Sequence, residues 1–158
     1  MIILGIDPGL NNTGYGLVEI QKNKIRAIAY GGIVNSIDDN LSEKVKNIHS
    51  EINTLIKKYA PHDLVLEEIF FSKNTRSALN VGKVVGALAL TASLLEINFF
   101  VYTPLQVKQA VVGYGRASKN QVQEMVKVLL SLSKKPEYEH AADALAVAIC
   151  HIHHKYSY

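Results

Sequence analysis

The sequence predicts an α/β fold: a five-stranded mixed sheet, three antiparallel strands followed by two parallel ones, flanked by helices. Three observations carry that prediction. The chain opens on a short apolar run, Met1 to Asp7, that stops at Pro8-Gly9, as a buried strand ending in a tight turn does. Strand-like and helix-like periodicities then alternate, which is the pattern of a layered α/β domain. The length of 158 residues matches one domain of about 150 residues, so residues 1–158 are expected to form one unit.

After Met1 to Asp7, Thr13 to Ile20 reads as a second strand. The short polar link Gln21-Lys22-Asn23-Lys24 then returns the chain as a third, Ile25 to Val34. From Leu41 the apolar positions Val45, Ile48, Ile52, Leu55, Ile56 and Tyr59 recur at threes and fours, which paints one helix face. Pro61 stops that helix. Leu64 to Leu66 reads as a buried strand running into Glu67 and Glu68, and Ser77 to Leu95 as a helix apolar nearly all round, which predicts burial. Phe99 to Thr103 is the fifth strand and Pro104 opens a short helix. Gly113-Tyr114-Gly115 makes a loop, and Ser118 caps a helix with Val122, Met125, Val126 and Leu129 inward. Pro136 precedes a final helix from Glu137 to about His153.

Apolar residues are 48% and charged residues 20%, so the chain can bury a core and is not of the disordered class. The net charge of +3 is too small to name a polyanionic partner. One cysteine, Cys150, cannot form an intramolecular disulfide. The longest uncharged stretch, Val84 to Leu95, has 12 residues, short of the roughly 20 that a membrane helix needs. With no basic leader before Asp7, these features predict a cytoplasmic protein without a membrane span.

Strands alternating with helices pair in parallel and lie side by side. Asp7 and Glu67 are therefore expected to end neighbouring strands, where ligands of open α/β sheets gather. Each acid alone has an ordinary reading, Asp7 in an Asp-Pro-Gly turn and Glu67 at a solvated strand end. A third acid, Asp143, sits in the small apolar run His140-Ala141-Ala142-Asp143-Ala144-Leu145-Ala146, one that can approach a sheet closely. His140 and Asp143, three apart, share a helix face, although a helix N-terminus also favours such acids through its dipole. Acids converging on one crevice repel unless cations sit among them, and oxygen-rich sites suit Mg²⁺ or Mn²⁺. Two such ions can drive in-line phosphodiester hydrolysis.

Ile6-Asp7-Pro8-Gly9, Thr13-Gly14-Tyr15-Gly16, Glu67 with Ile69-Phe70 after it, Lys73-Asn74, Gln106-Val107-Lys108 and His140 to Ala146 resemble, in order, the RuvC family of bacterial Holliday-junction resolvases. The resemblance covers nearly the whole chain. It implies a ribonuclease H-like fold, a homodimer, and paired nicking of four-way junction DNA in recombination and repair. It further implies two Mg²⁺ per subunit, with Mn²⁺ able to substitute, and coupling to the RuvA and RuvB branch-migration complex. The catalytic and metal-binding roles fall on Asp7, Glu67 and Asp143, with His140 at the fourth position. Many relatives carry Asp where His140 stands, so direct metal binding, proton movement and stabilisation of the scissile phosphate are all open to it.

Between Val101 and Lys135 stand Lys108, Arg116, Lys119, Lys127, Lys134 and Lys135 against Glu124, six bases to one acid and a local excess of +5. Such a run is either a solvated face or a phosphate-binding one. The resemblance places DNA-backbone contacts on Lys108 and Lys119, whereas Arg116 is a candidate from its glycine-bounded loop. Phe70, beside Phe71, matches the family's base-stacking position, with Lys73 and Asn74 close behind; a core role is the other reading of the rings. A junction needs two symmetric nicks and hence a two-fold dimer. The helix from Ser77 to Leu95 is the candidate contact, unless its own subunit covers it. His151, His153 and His154 are read as residues suited to a helix C-terminus, and Cys150 as core. The Gly5-Ile6-Asp7-Pro8-Gly9 turn also resembles actin-like ATPases, which need a second lobe. A noncatalytic junction-binding protein would not need the acids.

Overall fold

The computed structural model describes residues 1–22, 24–68 and 75–156, the side chains of 75–77 excepted. Its strands are β1 (Ile2–Asp7), β2 (Asn12–Gln21), β3 (Lys24–Val34), β4 (Asp63–Glu67) and β5 (Asn98–Tyr102). The helices are α1 (Leu41–Tyr59), α2 (Thr75–Leu94), α3 (Pro104–Val112), α4 (Lys119–Leu129) and α5 (Glu139–Tyr156). The strands form one sheet in the order β3-β2-β1-β4-β5. β2 runs antiparallel to β1 and β3, and β4 runs parallel to β1 and β5. The mixed sheet and its three-then-two division are as the sequence predicts.

Side chains alternate across a strand, and the core divides accordingly. Ile3, Val18 and Val65 pack with α3, α4 and α5 on one face, while Leu4, Ile6, Leu17, Leu64 and Leu66 pack with α1 and α2 on the other. By the same alternation Asp7 follows Ile3, and both Asp63 and Glu67 follow Val65, onto the α5 face. Glu68, beyond the strand, is exposed.

α5 lies directly on β1 and β2 because both surfaces are small. A Cβ on Gly5 would stand 2.0 Å from the Ala144 carbonyl oxygen, and one on Gly14 would stand 2.0 Å from that of His140. Ala141, Ala144 and Ala148 are fully buried. The helix starts at Glu139, two residues later than the sequence suggests, and runs on to Tyr156. Its last turn continues because Lys155 and Tyr156 bind Asp63. Ser118 caps α4 as expected, in a capping box with Gln121.

α2 is covered on one face only within its own chain. Its all-round apolar character predicts burial; among the described side chains Ala78, Val84, Leu88, Thr91 and Ala92 are buried, while Leu79, Leu90 and Leu94 are 61%, 60% and 69% exposed. Gly82 and Gly86 lie on the same open stripe, and an added Cβ on either meets nothing within 4 Å. The reason is position: α2 packs on α1 and touches β5, so the sheet and α1 cover one face and leave the other bare.

Candidate active site

The parallel register pairs Ile6 with Leu66, which brings Asp7 and Glu67 side by side at the carboxyl edge of the sheet. The first turn of α5 adds His140 and Asp143. His140 Nδ1 lies 2.7 Å from Asp7 Oδ2, and donor atoms of Asp7, His140 and Asp143 all lie within 4.8 Å of one another. The turn behind Asp7 is pinned from several sides. Thr13 Oγ1 donates to the Gly9 carbonyl at 2.6 Å, Asn35 Nδ2 to that of Leu10 at 2.7 Å, and the buried Lys44 to Asn11 Oδ1 at 2.8 Å.

Glu67 stands beside this trio rather than in it. It lines a cavity of about 250 Å³ with Lys108, Lys119, Val122 and Asp143. With Asp7 and Asp143 already near, a further carboxylate is better placed facing the two lysines. Burial, then the charges of Asp7 and Asp143, push the Glu67 carboxyl up to about 7, against the pull of Lys108 and Lys119. Asp7 is also raised, first by burial, with the His140 hydrogen bond opposing and Asp143 adding. Carboxylates that resist ionising together are what a cation relieves. Carboxylate oxygens with one imidazole nitrogen form a donor set that fits Mg²⁺ or Mn²⁺.

The basic residues divide by location. Lys119, opening α4, places Nζ 2.8 Å from Asp143 Oδ2 and 2.6 Å from Glu139 Oε1. Burial would lower its pKa, but these two ion pairs raise it. Lys108 lines the same cavity, whereas Arg116 is exposed in the loop before α4. Lys134 pairs with Glu137, and Lys135 with Glu124 at 2.8 Å. The basic run of the sequence is therefore not one phosphate-binding strip, because part of it is engaged in ion pairs on the surface. Phe70, Lys73 and Asn74 lie outside the described residues.

Sequence reasoning missed Glu139, the second anchor of Lys119, and a buried cluster at the opposite end of β4. His151, read as a helix-end charge, is instead fully buried. Its Nε2 lies 2.9 Å from Asp63 Oδ2 and its Nδ1 2.8 Å from Tyr102 Oη. Burial lowers the His151 pKa, and the neutral ring satisfies both partners when Nε2–H donates to Asp63 and Nδ1 accepts from Tyr102. Asp63 also accepts from Asn98 at 2.9 Å, Lys155 at 3.0 Å and Tyr156 at 2.7 Å. Burial alone would raise its carboxyl, but these bonds hold it well below the usual range. A histidine three turns into an apolar helix was the available signal. Its partner, 88 residues away, was not visible.

Residues 3–151 match the family described as crossover junction endodeoxyribonuclease RuvC. A protein of that name from Alkaliphilus metalliredigens is 48% identical over 153 residues, 97% of this chain and 93% of its own length. A Thermus thermophilus RuvC structure superposes with a TM-score of 0.92 at 32% identity, covering 99% of this chain and 97% of that one. T. thermophilus RuvC in complex with a Holliday junction substrate gives a TM-score of 0.90 at 34% identity, over 96% and 92% of the two chains. The ribonuclease H-like fold implied by the sequence is the fold the chain has.

Proposed function

The chain belongs to the RuvC family of crossover junction endodeoxyribonucleases, and from that membership we propose that it resolves Holliday junctions by paired, symmetric nicks in recombination and repair. The observation that carries the reading is the convergence of Asp7, His140 and Asp143 at the sheet edge, beside Glu67 and two lysines. The whole chain, residues 1–158, acts as one nuclease domain in the cytoplasm. Among the described residues no helix is long and apolar enough to cross a membrane.

Asp7, Glu67, His140 and Asp143 would hold the metal, two Mg²⁺ per subunit, with Mn²⁺ able to substitute. When bound, such ions supply positive charge to the attacking and leaving oxygens of an in-line displacement. Water attacks the scissile phosphorus, the opposite P–O bond breaks, and the departing oxygen takes a proton. With Nδ1 engaged by Asp7, His140 keeps Nε2 for the reacting side. Lys108 and Lys119 neutralise the phosphate from the cavity wall. Arg116 adds a DNA contact from the loop before α4, and from family membership Lys73 and Asn74 contact DNA and Phe70 stacks on bases unpaired at the junction centre.

Two nicks related by symmetry call for two sites in a homodimer. The bare stripe Leu79, Gly82, Gly86, Leu90 and Leu94 on α2 supports that assembly. Coupling to the RuvA and RuvB complex is proposed from family membership. The test is to mix the purified protein with a synthetic four-way junction and Mg²⁺. Symmetric nicks in opposing strands support the reading, whereas intact junctions at saturating protein overturn it.

A further inference from the structure

We propose that Tyr138 is a positioning residue for His140, its ring acting as the wall that keeps the imidazole against Asp7. The inference rests on the nuclease reading above for its catalytic consequence. Tyr138 immediately precedes α5, and its carbonyl accepts the Ala141 N–H at 3.0 Å, which fixes its backbone at the start of the helix. Its ring centroid lies 5.5 Å from that of His140, tilted by 51°. On its other side the ring fills the space of a missing side chain, since a Cβ on Gly32 would stand 2.1 Å from Tyr138 Cε1.

Gly32 on β3 is the register partner of Gly14 on β2, and Gly14 is the glycine whose bareness admits the His140 backbone. Two glycines opposite each other on adjacent strands thus form one notch, which seats Tyr138 over one and His140 over the other. The bond from Nδ1 to Asp7 restrains a single ring atom and leaves the imidazole free to pivot about it. A flanking aromatic ring narrows that freedom by packing, and an aromatic pair of this kind is commonly worth about 2- to 10-fold.

The Tyr138 hydroxyl takes no part. Oη is buried with no hydrogen-bond partner among the described residues, so the place uses the ring's bulk, and phenylalanine should serve as well or better.

The test compares Tyr138→Phe, Tyr138→Leu and Gly32→Ala by three measurements: Mn²⁺ binding to the DNA-free protein by calorimetry, the ¹⁵N ring signals of His140, and junction cleavage. Tyr138→Phe should match the wild type in all three. Tyr138→Leu and Gly32→Ala should each weaken Mn²⁺ binding about 2- to 10-fold, with the His140 signals shifted from those of the wild type. Cleavage kcat should fall with junction affinity unchanged. A folded Tyr138→Leu protein with wild-type Mn²⁺ affinity and His140 signals overturns the proposal. So does a Tyr138→Phe loss equal to that of Tyr138→Leu, or failure of Tyr138→Leu to fold, which would make the ring a core residue. A protein that never cuts junctions but shows both DNA-free effects retires the nuclease reading and keeps this one.

Discussion

His140 Nδ1 stands 2.7 Å from Asp7 Oδ2 although the two residues are 133 apart in sequence. The bond orients the ring through one carboxylate oxygen, and the ring proton supports the negative charge on an Asp whose burial and Asp143 neighbour otherwise raise its pKa. Asp7→Asn keeps the shape and removes the charge. It should abolish nicking in Mg²⁺ while leaving junction affinity in a gel-shift assay nearly unchanged, because phosphate contacts supply most of the binding. Full cleavage by this variant would end the metal-site assignment.

Burial raises the Asp7 and Glu67 carboxyls and Asp143 adds its charge beside them, so a bound divalent cation should stabilise the fold. At 100 times its Kd a ligand adds about 2.7 kcal/mol, and in a chain of this size each kcal/mol moves Tm by about 2–4 °C. Thermal scans should show Mn²⁺ or Mg²⁺ raising the wild-type midpoint and losing most of that effect in Asp143→Asn. An equal rise in both proteins would place the stabilising ion elsewhere.

Lys108 and Lys119 line the cavity at the reacting edge, Lys119 paired there with Glu139 and Asp143, whereas Lys134 pairs with Glu137 outside that cavity. Lys108→Ala and Lys119→Ala should each weaken junction binding across all sequences and reduce the salt slope by about one. Lys134→Ala should do neither. Lys119→Ala should also cost more nicking than Lys108→Ala, since it leaves Glu139 and Asp143 without their shared cation.

If the open stripe of α2 joins two subunits, Leu90→Glu places a charge at its middle, where Leu90 is 60% exposed. Sedimentation should shift from dimer to monomer at micromolar concentration. The variant should still nick junctions singly but lose the pairing of cuts. A monomeric wild type, or a dimeric variant with paired cuts, would move the interface elsewhere.

The buried cluster around Asp63 sets an acid limit on stability. Asp63 titrates below its ordinary 3.8 in the fold, so its contribution is complete above that value and is lost as pH falls through the folded value. His151 titrates below its ordinary 6.5, so the unfolded chain takes up its proton first and stability also declines as pH drops below 6.5. Asp63→Asn should cost about 1–3 kcal/mol at pH 7, as leaving buried donors without their charged acceptor does. Denaturant unfolding should show the gap to wild type narrowing below about pH 4. A constant gap would mean that Asp63 contributes by shape alone.

Strand directions and the neighbouring ends of Asp7 and Glu67 were legible because each follows from local periodicity plus the crossover rule, whereas His140 and Asp143 were placed with them by the small residues of their helix and by the family resemblance. The alanines around Asp143 declare a helix that can approach a sheet closely, and Gly5 and Gly14 are where the sheet receives it. What covers α2 was not legible, because composition reports how much apolar surface exists and not which neighbour covers it. Asp63 with His151, and Gly32 with Tyr138, escaped because each half looks ordinary alone and only the folded register joins them. Glu139 likewise gains its meaning from Lys119, brought beside it by the packing of α4 on α5.

α5 is fastened to the sheet twice, by His140 on Asp7 of β1, where Asp143 and Glu67 share a cavity, and by His151, Lys155 and Tyr156 on Asp63 of β4. Eight helical residues from Asp143 to His151 rise about 12 Å, and four strand residues from Glu67 to Asp63 span about 13 Å. The two spacings agree only in one axial setting of the helix. A slip of one residue would turn α5 by about 100°, replacing Asp143 at the reacting edge with a neighbouring alanine. The distant histidine therefore acts as an index mark, and mutations there should surface as faults in cutting before they surface as loss of the fold.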